Sequence, residues 1–580
     1  SNVEHGLNAE QQRAVNHTDG ALLILAGAGA GKTRVIVHRI AHLIETGIAP
    51  HKILAVTFTN KAAREMHERV TTLLGSRLSL SPYDIPTTSP FIGTFHALSL
   101  HIIKSFHQLA GLPRRFTIYD RADSTRAVRE AIKSTGFDPK QLEPRRVLSV
   151  MGKHKGNDVS RELFAESIAQ SYIDEAIAEV WEKYDNILKK EKALDFDDIL
   201  VTALKLLRDH KIVRDHFHHT WSHLHIDEYQ DTNRTQYELI RLLAESGNIA
   251  VVGDIDQNIY SWRGASIEHI MNFERDYPDA TVVVLTKNYR STKTIIAAAN
   301  EAIARNIRRR EKELVTDNPD GDKLGIGGFA DEADEARFVA NEAARLIKAH
   351  VNPNHIAVLY RANFQSRILE EAFLSLSIPY QVLGTRFYER KEVKDALSYI
   401  RAALNPDSVA DITRIINVPT RGIGKVTLAK VISGGKDQLP AAQRAKVDAF
   451  YATLNRIRTA IEQEPASEAI KRALRESGMW DTLQSGDAED QERLENLKEL
   501  VTVPTKYDAL TNAEGIEKLI EEAALQSDQD ELSVREQVKK NGVKLMTVHA
   551  AKGLEFPIVF ITGLEEGLFP HARDGDDSVD

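Results

Sequence analysis

The sequence contains no cysteine among its 580 residues. This absence excludes disulfide bonds, thiol nucleophiles and thiolate metal ligands. No apolar run approaches the roughly 20 residues needed to span a bilayer. The N-terminus also lacks the charged, apolar and small-residue pattern of a signal segment. We therefore expect a soluble protein with no membrane partner, and the cytoplasm is its expected location.

The chain also lacks a net positive charge, since its formal net charge is −9. An average over a long chain hides local charge, however. Residues 101–158 carry 12 Lys and Arg against 6 Asp and Glu, whereas residues 461–540 carry 10 against 20. The sequence thus contains one basic segment and one acidic segment. From charge alone, a solvated helical surface explains the basic segment better than a nucleic-acid site does.

The length exceeds what one hydrophobic core supports, so three to five units of about 100 to 200 residues are expected. Short apolar strands alternate with helical stretches in two parts of the chain, and each part is interrupted by a mainly helical stretch. This pattern predicts two parallel α/β domains with helical insertions. We place the second α/β set from the strand Thr281–Leu285 onward. The predicted boundaries are 1–100 and 196–280 for the first α/β domain, 101–195 for its insertion, 281–385 and 541–580 for the second domain, and 386–540 for its insertion.

A phosphate-binding loop follows the apolar strand Leu22–Leu25. Its residues are Ala26, Gly27, Ala28, Gly29, Ala30, Gly31, Lys32 and Thr33, and a helical pattern begins directly after them. Glycines let backbone amides curl around an anion, and the helix N-terminus points its dipole at that anion. Lys32 is predicted to reach the β and γ phosphates, and Thr33 to hold Mg²⁺. A flexible Gly/Ala turn is the alternative, which the strand before and the helix after make less favourable.

Two adjacent carboxylates, Asp227 and Glu228, stand directly after the apolar run Trp221–Ile226. A Mg-nucleotide site needs one carboxylate near the metal and a second that orients or deprotonates water. On this stretch alone, an acidic turn after a strand explains the residues equally well. The phosphate-binding loop upstream favours a nucleoside triphosphatase.

Seven further stretches fall at strand ends or in the loops after them: Leu7–Gln11, Thr57–Ala63, Gly93–Ala97, Gly253–Gly264, Leu285–Arg290, Met546–Phe556 and Gly567–His571. With the loop and the acidic pair, they resemble the superfamily 1A DNA helicases, the UvrD/PcrA/Rep group, in order and over essentially the whole chain. The resemblance implies an α/β fold of two RecA-like, parallel-sheet P-loop motor domains, 1A and 2A, each interrupted by a mainly helical insertion, 1B and 2B.

The resemblance also implies an ATP site with Mg²⁺ as cofactor. By the family pattern, Gln11 contacts the adenine edge, and Arg34 and Tyr289 flank the ring. Asp227 lies in the Mg²⁺ shell, Glu228 is the general base and Gln257 senses the γ phosphate. Arg290 is expected to arrive from the second motor domain, and Glu555 from that domain to approach the ribose or the water network. An arginine finger is worth about 10³ to 10⁵ in rate in related nucleotidases.

A motor that moves on any DNA sequence must hold base faces and phosphates, which all nucleotides share. Tyr260 and Trp262 lie close to Gln257 in sequence, so one loop carries both the γ-phosphate sensor and stacking rings. For Phe95 and Phe196 ordinary core packing is favoured over DNA contact, and for Trp262 the reverse holds. The DNA-binding residues implied by the resemblance are Thr57, Phe58, Asn60, Phe95, His96, Phe196, Tyr260, Trp262, Arg263, Arg361, His549 and His571.

Gly422, Gly424 and Lys425 form a Gly-X-Gly turn with a flanking lysine in the second insertion. Such turns expose backbone amides to a phosphate, as helix-hairpin-helix motifs do on duplex DNA. A simple interhelical turn explains them equally well from the residues alone. The resemblance favours duplex contact.

The family pattern continues after Gly567–His571 with a motif that carries a second arginine finger, but this sequence stops at Asp580. We expect a shortened chain whose motor is impaired unless the remainder is supplied. The expected function is an ATP-dependent 3′ to 5′ helicase or translocase on single-stranded DNA and junctions with duplex, in repair and replication. The alternatives are a translocase that mainly displaces proteins and a DNA-binding scaffold. Repair proteins and a second copy of the chain are the other expected partners.

Overall fold

The computed structural model describes residues 6–75, 89–137, 142–259, 265–306, 312–361, 365–383, 388, 390–484, 488–510, 513–527 and 541–569. The chain forms two compact units. The first comprises 1–321 and 390–528, and the second comprises 322–389 and 529–580. No helix in the described ranges is long and apolar enough to cross a membrane.

The first unit is built on a parallel sheet of six strands in the described part of the chain, in the order β3-β2-β6-β7-β1-β8. A separate parallel pair joins β4 and β5. The strands are β1 Leu22–Ala26, β2 Ile53–Thr57, β3 Phe91–Thr94, β4 Thr117–Ile118, β5 Ala193–Leu194, β6 His223–Ile226, β7 Ile249–Gly253 and β8 Thr281–Leu285.

Helices cover both faces of this sheet. Successive residues of each strand point to opposite faces, so each strand contributes side chains to two cores. Leu23 and Leu54 contribute to one buried core, whereas Ile24 and Ala55 contribute to the other. The helices of this part and of the first insertion are α1 Ala9–Asn16, α2 Lys32–Glu45, α3 Asn60–Leu74, α4 Phe95–Ser105, α5 Arg121–Ser134, α6 Pro144–Gly156, α7 Arg161–Leu163, α8 Tyr172–Lys190, α9 Phe196–Asp209, α10 Lys211–Thr220, α11 Arg234–Leu243, α12 Glu268–Met271, α13 Phe273–Asp276 and α14 Lys293–Ile303.

The strand Thr281–Leu285 differs from the prediction, because it does not open the second α/β set. It pairs with β1 as an edge strand of the first sheet, with Leu23 opposite Val282 and Ala26 opposite Leu285. An apolar run predicts a strand but carries no information on which sheet will pair with it. The other domain boundaries stay predictions.

The second unit contains a smaller parallel sheet, with the order β10-β11-β9-β12 in the described residues. Its strands are β9 Ile356–Tyr360, β10 Tyr380–Val382, β11 Val543–Thr547 and β12 Ile558–Ile561, and its helices are α15 Glu332–Lys348, α16 Ser366–Ser375 and α25 Val548–Ala551. Val358, Phe373 and Leu545 lie in the core between this sheet and its helices. Both units are thus α/β with parallel sheets, as the sequence predicts.

The second insertion is mainly helical and belongs to the first compact unit. Its helices are α17 Lys391–Leu404, α18 Val409–Ile415, α19 Lys425–Ile432, α20 Ala441–Gln463, α21 Ala466–Glu476, α22 Met479–Gln484, α23 Ala488–Thr502 and α24 Glu514–Ser527. Its contact with the first insertion includes buried charges. The Arg401 guanidinium donates to Asp411 at 2.7 Å and lies 3.6 Å from Asp123 on α5.

We expect Arg401→Met to destabilise the first unit by about 3 kcal/mol, because it leaves Asp411 buried without its cation and Asp123 with Arg126 alone. Both carboxylates are almost fully buried. The melting temperature measured by circular dichroism checks this expectation. Arg345→Met is the matched control, since Arg345 pairs with Glu342 on an exposed helix face. Equal melting temperatures of Arg401→Met and the unchanged protein would contradict the prediction.

Candidate active site

The phosphate-binding loop connects the end of β1 to the start of α2. Gly31 is the residue before the first helical turn and has φ of 82°, in the left-handed region that glycine adopts without strain. Gly29 has φ of 65°, and a Cβ there would lie 2.6 Å from Nδ2 of Asn288. The loop therefore needs glycine at both positions. Its shape brings backbone amides to a helix N-terminus, which is an anion-binding arrangement.

Lys32 is the charged centre of the site. Its Nζ donates to Oε2 of Glu228 at 3.1 Å and to Oε1 of Gln257 at 3.2 Å. Burial acts to lower the pKa of Lys32, but the negative charges of Glu228, Asp254 and Asp227 outweigh burial and raise it. The residue therefore stays a cation. The structure brings together three residues that the sequence analysis assigned to catalysis.

Asp227 and Glu228 follow β6 directly, as the sequence predicts. Asp227 is buried, and its Oδ1 accepts from the backbone N–H of Glu228 at 2.9 Å. Glu228 has φ of 50°, which is unusual for a residue with a side chain. Such strain persists only where the surroundings fix it, and it is concentrated at functional sites. Nε2 of Gln230 also donates to Glu228 at 2.6 Å.

Thr33 and Asp227 offer a hydroxyl and a carboxylate oxygen beside the loop. No group of three or more His, Cys, Asp or Glu that would hold a metal alone occurs in the part of the chain that the structure describes. Mg²⁺ prefers oxygen ligands and usually binds through one or two protein groups together with substrate phosphates. The donor set at Thr33 and Asp227 fits that mode.

Gln257 lies on a short 3-10 turn, Ile255–Gln257, that follows β7. Its Nε2 donates to Oδ2 of Asp254 at 2.6 Å, while its Oε1 accepts from Lys32. Lys312 adds a second cation, since it pairs with Asp254 and lies 3.1 Å from Asp256. The predicted stacking residues Tyr260 and Trp262, with Arg263, lie outside the described residues.

The predicted adenine-binding residues lie beside the same loop. Nε2 of Gln11 donates to the carbonyl of Ala30 at 3.0 Å, and its Oε1 accepts from the N–H of Asn8 in a capping box at the start of α1. Nδ2 of Asn8 donates to the Tyr289 hydroxyl at 2.9 Å. Arg34 and Tyr289 are exposed. Their contact with adenine stays a prediction.

Asn288 fastens the segment after β8 to the phosphate-binding loop. Its Nδ2 donates to the carbonyl of Ala28 at 2.6 Å, and its Oδ1 accepts from the N–H of Arg290 and of Ser291, each at 2.8 Å. The N–H of Tyr289 donates to the carbonyl of Gly29 at 3.0 Å. Arg290 is thereby held beside the loop, and its assignment to the second motor domain stays a prediction.

Four of the predicted DNA-binding aromatic and imidazole side chains form two contacts near the ends of β2 and β3. The Phe58 ring meets the edge of Phe95 at 5.3 Å between centroids, and His96 stacks on Phe196 at 3.5 Å. Phe95 is 1% exposed, which confirms the core packing favoured for it, whereas Phe58 and Phe196 are partly exposed. Burial lowers the pKa of His96 to about 3, so its ring is neutral.

The other predicted DNA-binding residues are distributed over both units. In the first unit Thr57 is buried at the end of β2 and Asn60 begins α3, while Gly424 precedes α19 and Lys425 begins it. Gly422 has φ of 67°, and its carbonyl accepts from Lys446. In the second unit lie Arg361 and His549 on α25, together with Glu555, which is exposed and was predicted for the nucleotide site instead. His571 lies outside the described residues. DNA contact by these residues stays a prediction.

Comparisons with known proteins agree with this geometry. The sequence model of the UvrD/REP helicase N-terminal domain matches residues 7–278, and that of the UvrD-like helicase C-terminal domain matches residues 283–578. The chain belongs to the UvrD/REP helicase family. It is 40% identical to the ATP-dependent DNA helicase PcrA of Bacillus subtilis over 98% of this chain and 78% of that protein. The PcrA proteins of Staphylococcus aureus and Staphylococcus epidermidis are 39% and 40% identical, with coverage of 98% of this chain and 78% and 79% of theirs.

The sequence analysis missed Asn288, Gln230 and Lys312 as parts of this family site. Asn288 lies within the motif Leu285–Arg290, and Gln230 lies two residues after Glu228. Their amides bond to groups distant in sequence, such as the N–H of Asp254 to Oε1 of Gln230 at 2.9 Å. The positions of Asn288 and Gln230 within or next to a motif could have indicated a role, whereas Lys312 lies in no motif and the sequence carries no signal for it.

We expect Asn288→Asp to raise the KM for ATP about tenfold, because a carboxylate would face the Ala28 carbonyl in place of an amide donor. Steady-state ATP hydrolysis against ATP concentration measures this change. Asn157→Asp is the matched control, since Nδ2 of Asn157 donates to the Lys153 carbonyl at 2.8 Å on an exposed helix end. An unchanged KM in Asn288→Asp would exclude a role for this contact in shaping the loop.

Proposed function

We propose that this protein is an ATP-dependent DNA helicase that moves 3′ to 5′ on single-stranded DNA and acts at junctions with duplex in repair and replication. The observation that carries the proposal is the cluster of Lys32, Glu228 and Gln257, with distances of 3.1 and 3.2 Å from the ammonium. A phosphate-binding loop, a strand-end acidic pair and a γ-phosphate sensor meet there at one sheet edge.

Each residue of the cluster has a distinct task in the proposal. The loop amides and Lys32 bind the β and γ phosphates, and Arg290 adds positive charge beside them. Mg²⁺ held by Thr33 and Asp227 would neutralise phosphate charge when bound. Glu228 orients the attacking water and accepts its proton. Gln257 detects whether the γ phosphate is present and is followed in sequence by Tyr260 and Trp262.

The DNA track in the proposal begins at Phe58 and Phe196, which are partly exposed near the strand ends of the same sheet. Base stacking on aromatic rings is sequence-tolerant and is worth about 1 to 3 kcal/mol per base. His96 supports Phe196 from the buried side as a neutral ring. The Gly422 turn in the second insertion is proposed to contact duplex phosphates ahead of the junction.

We expect Glu228→Gln to retain ATP and DNA binding while the turnover number falls by about 10² or more, because an amide does not accept the proton from water. Fluorescent nucleotide binding and steady-state hydrolysis measure the two properties separately. The control is Glu245→Gln, which removes an exposed carboxylate that pairs with His218. Turnover in Glu228→Gln close to that of the control would show that another group is the base.

We expect strand separation from a duplex with a 3′ single-stranded tail, and none from the same duplex with a 5′ tail, if movement is 3′ to 5′. A fluorescence-quenched duplex with each tail, in the presence of ATP, measures this difference. The Glu228→Gln protein supplies the control without hydrolysis. Separation that prefers the 5′ tail contradicts the polarity. DNA-stimulated hydrolysis without separation from either tail favours protein displacement as the main activity.

A further inference from the structure

Lys155, on α6 of the first insertion, is a buried cation that lies outside the nucleotide site. Its Nζ lies 2.9 Å from Oδ2 of Asp195 and 2.6 Å from Oδ1 of Asp198, and the side chain is 5% exposed. The Tyr184 hydroxyl donates to the same Asp195 oxygen at 2.8 Å. A buried ammonium between two carboxylates is held strongly, because separating them leaves uncompensated charge in a low-dielectric interior.

The carboxylates bound by Lys155 lie at the start of α9, whose first residue is Phe196. Asp195 is the cap of that helix and accepts from the N–H of Asp198 at 2.7 Å. The Phe196 ring stacks on His96. The α6 backbone also approaches this turn closely, since a Cβ on Gly152 would lie 2.8 Å from Oδ2 of Asp197. Lys155 therefore holds the turn that presents an aromatic of the proposed DNA track.

The backbone of Lys155 contacts α11, which packs in the same core as α9. Its carbonyl accepts from the Thr235 hydroxyl at 2.6 Å, and Thr235 is fully buried in the first turn of α11. The next residue, Gly156, faces the helix cap, since a Cβ there would lie 3.3 Å from Nδ2 of Asn233. Lys155 and Gly156 thus contact the start of α11, and the Lys155 ammonium also contacts the start of α9.

The cap of α11, Asn233, is five residues from the proposed general base in sequence, and the short turn Tyr229–Asp231 lies between them. Asn233 follows that turn, which contains Gln230, after one intervening residue, Thr232. Nε2 of Gln230 donates to Glu228 at 2.6 Å, and its carbonyl accepts from Asn258 at 3.0 Å. A shift at the start of α11 would therefore change the surroundings of both Glu228 and the loop after Gln257.

We propose that Lys155 is a positioning residue that couples DNA binding at Phe196 to ATP hydrolysis at Glu228, by holding α6, the start of α9 and the start of α11 together. The proposal rests on the proposed function. Coupling between sites is carried by packed and hydrogen-bonded groups, and the evidence for it is a change in coupling when a linking group is altered. The ammonium supplies the link to α9, and the backbone supplies the link to α11.

The experiment compares Lys155→Met with the unchanged protein in ATP hydrolysis with and without oligothymidylate. We expect DNA-stimulated turnover to fall about tenfold, while basal turnover and the KM for ATP stay within about twofold. DNA affinity, measured by fluorescence anisotropy, should change less than the stimulation does, because the Phe196 ring remains. Lys211→Met is the matched control, since Lys211 forms an exposed pair with Asp215.

A second variant separates positioning from charge compensation. Lys155→Met leaves two buried carboxylates without a cation, whereas Lys155→Met with Asp198→Asn leaves only Asp195, which keeps its bonds from the Asp198 N–H and the Tyr184 hydroxyl. The double variant should fold if the single variant does not, and it should still lose stimulation, since Met does not hold the α9 turn.

The outcomes distinguish this proposal from the proposed function. If oligothymidylate does not stimulate the unchanged protein, the proposed function fails. If it does, and Lys155→Met keeps full stimulation, the coupling role is wrong. Equal losses of basal and stimulated turnover indicate a purely structural role and overturn the proposal. Recovery of stimulation in the double variant overturns it too, because charge compensation alone would then explain the effect of Lys155.

Discussion

The structure depends on one constraint, which is that parallel strands end at a common sheet edge. In the order β6-β7-β1-β8, the carboxyl ends of four neighbouring strands deliver Glu228, Gln257, Lys32 and Asn288 in turn. These residues are separated by up to about 256 positions in the sequence, yet Lys32 bonds to two of them directly. The order of the strands therefore brings these residues to one sheet edge, and the side-chain contacts fix their positions there.

The charges at this edge are compensated within the site. Lys32 is surrounded by the carboxylates of Glu228, Asp254 and Asp227, which raise its pKa against the effect of burial. Glu228 is bonded to Lys32 and also accepts from Gln230. A bound γ phosphate would compete with Glu228 for the ammonium, because phosphate oxygens carry more charge. Under the proposed function, nucleotide binding would then release Glu228 toward water.

The nucleotide side of the site could be predicted from the sequence, because its chemistry is local. The loop Ala26–Thr33, the acidic pair after β6 and the parallel α/β pattern each occupy a short stretch with a direct physical meaning. The sheet that accepts Thr281–Leu285 could not be predicted in this way, since pairing with β1 joins residues about 260 positions apart.

Charges counted along the sequence do not reveal which of them are buried or paired, and the two insertions provide examples. The basic segment 101–158 was best explained by a solvated surface, but Lys155 is buried between carboxylates. At the other end of that segment, Lys104 pairs with Glu521, and Nε of Arg115 lies 2.7 Å from Glu517, both on the acidic α24.

Burial lowers the pKa of Lys104 to about 8. The two segments of opposite charge thus meet in one compact unit and compensate each other. The charges of these two segments are thus involved in the packing of the insertions.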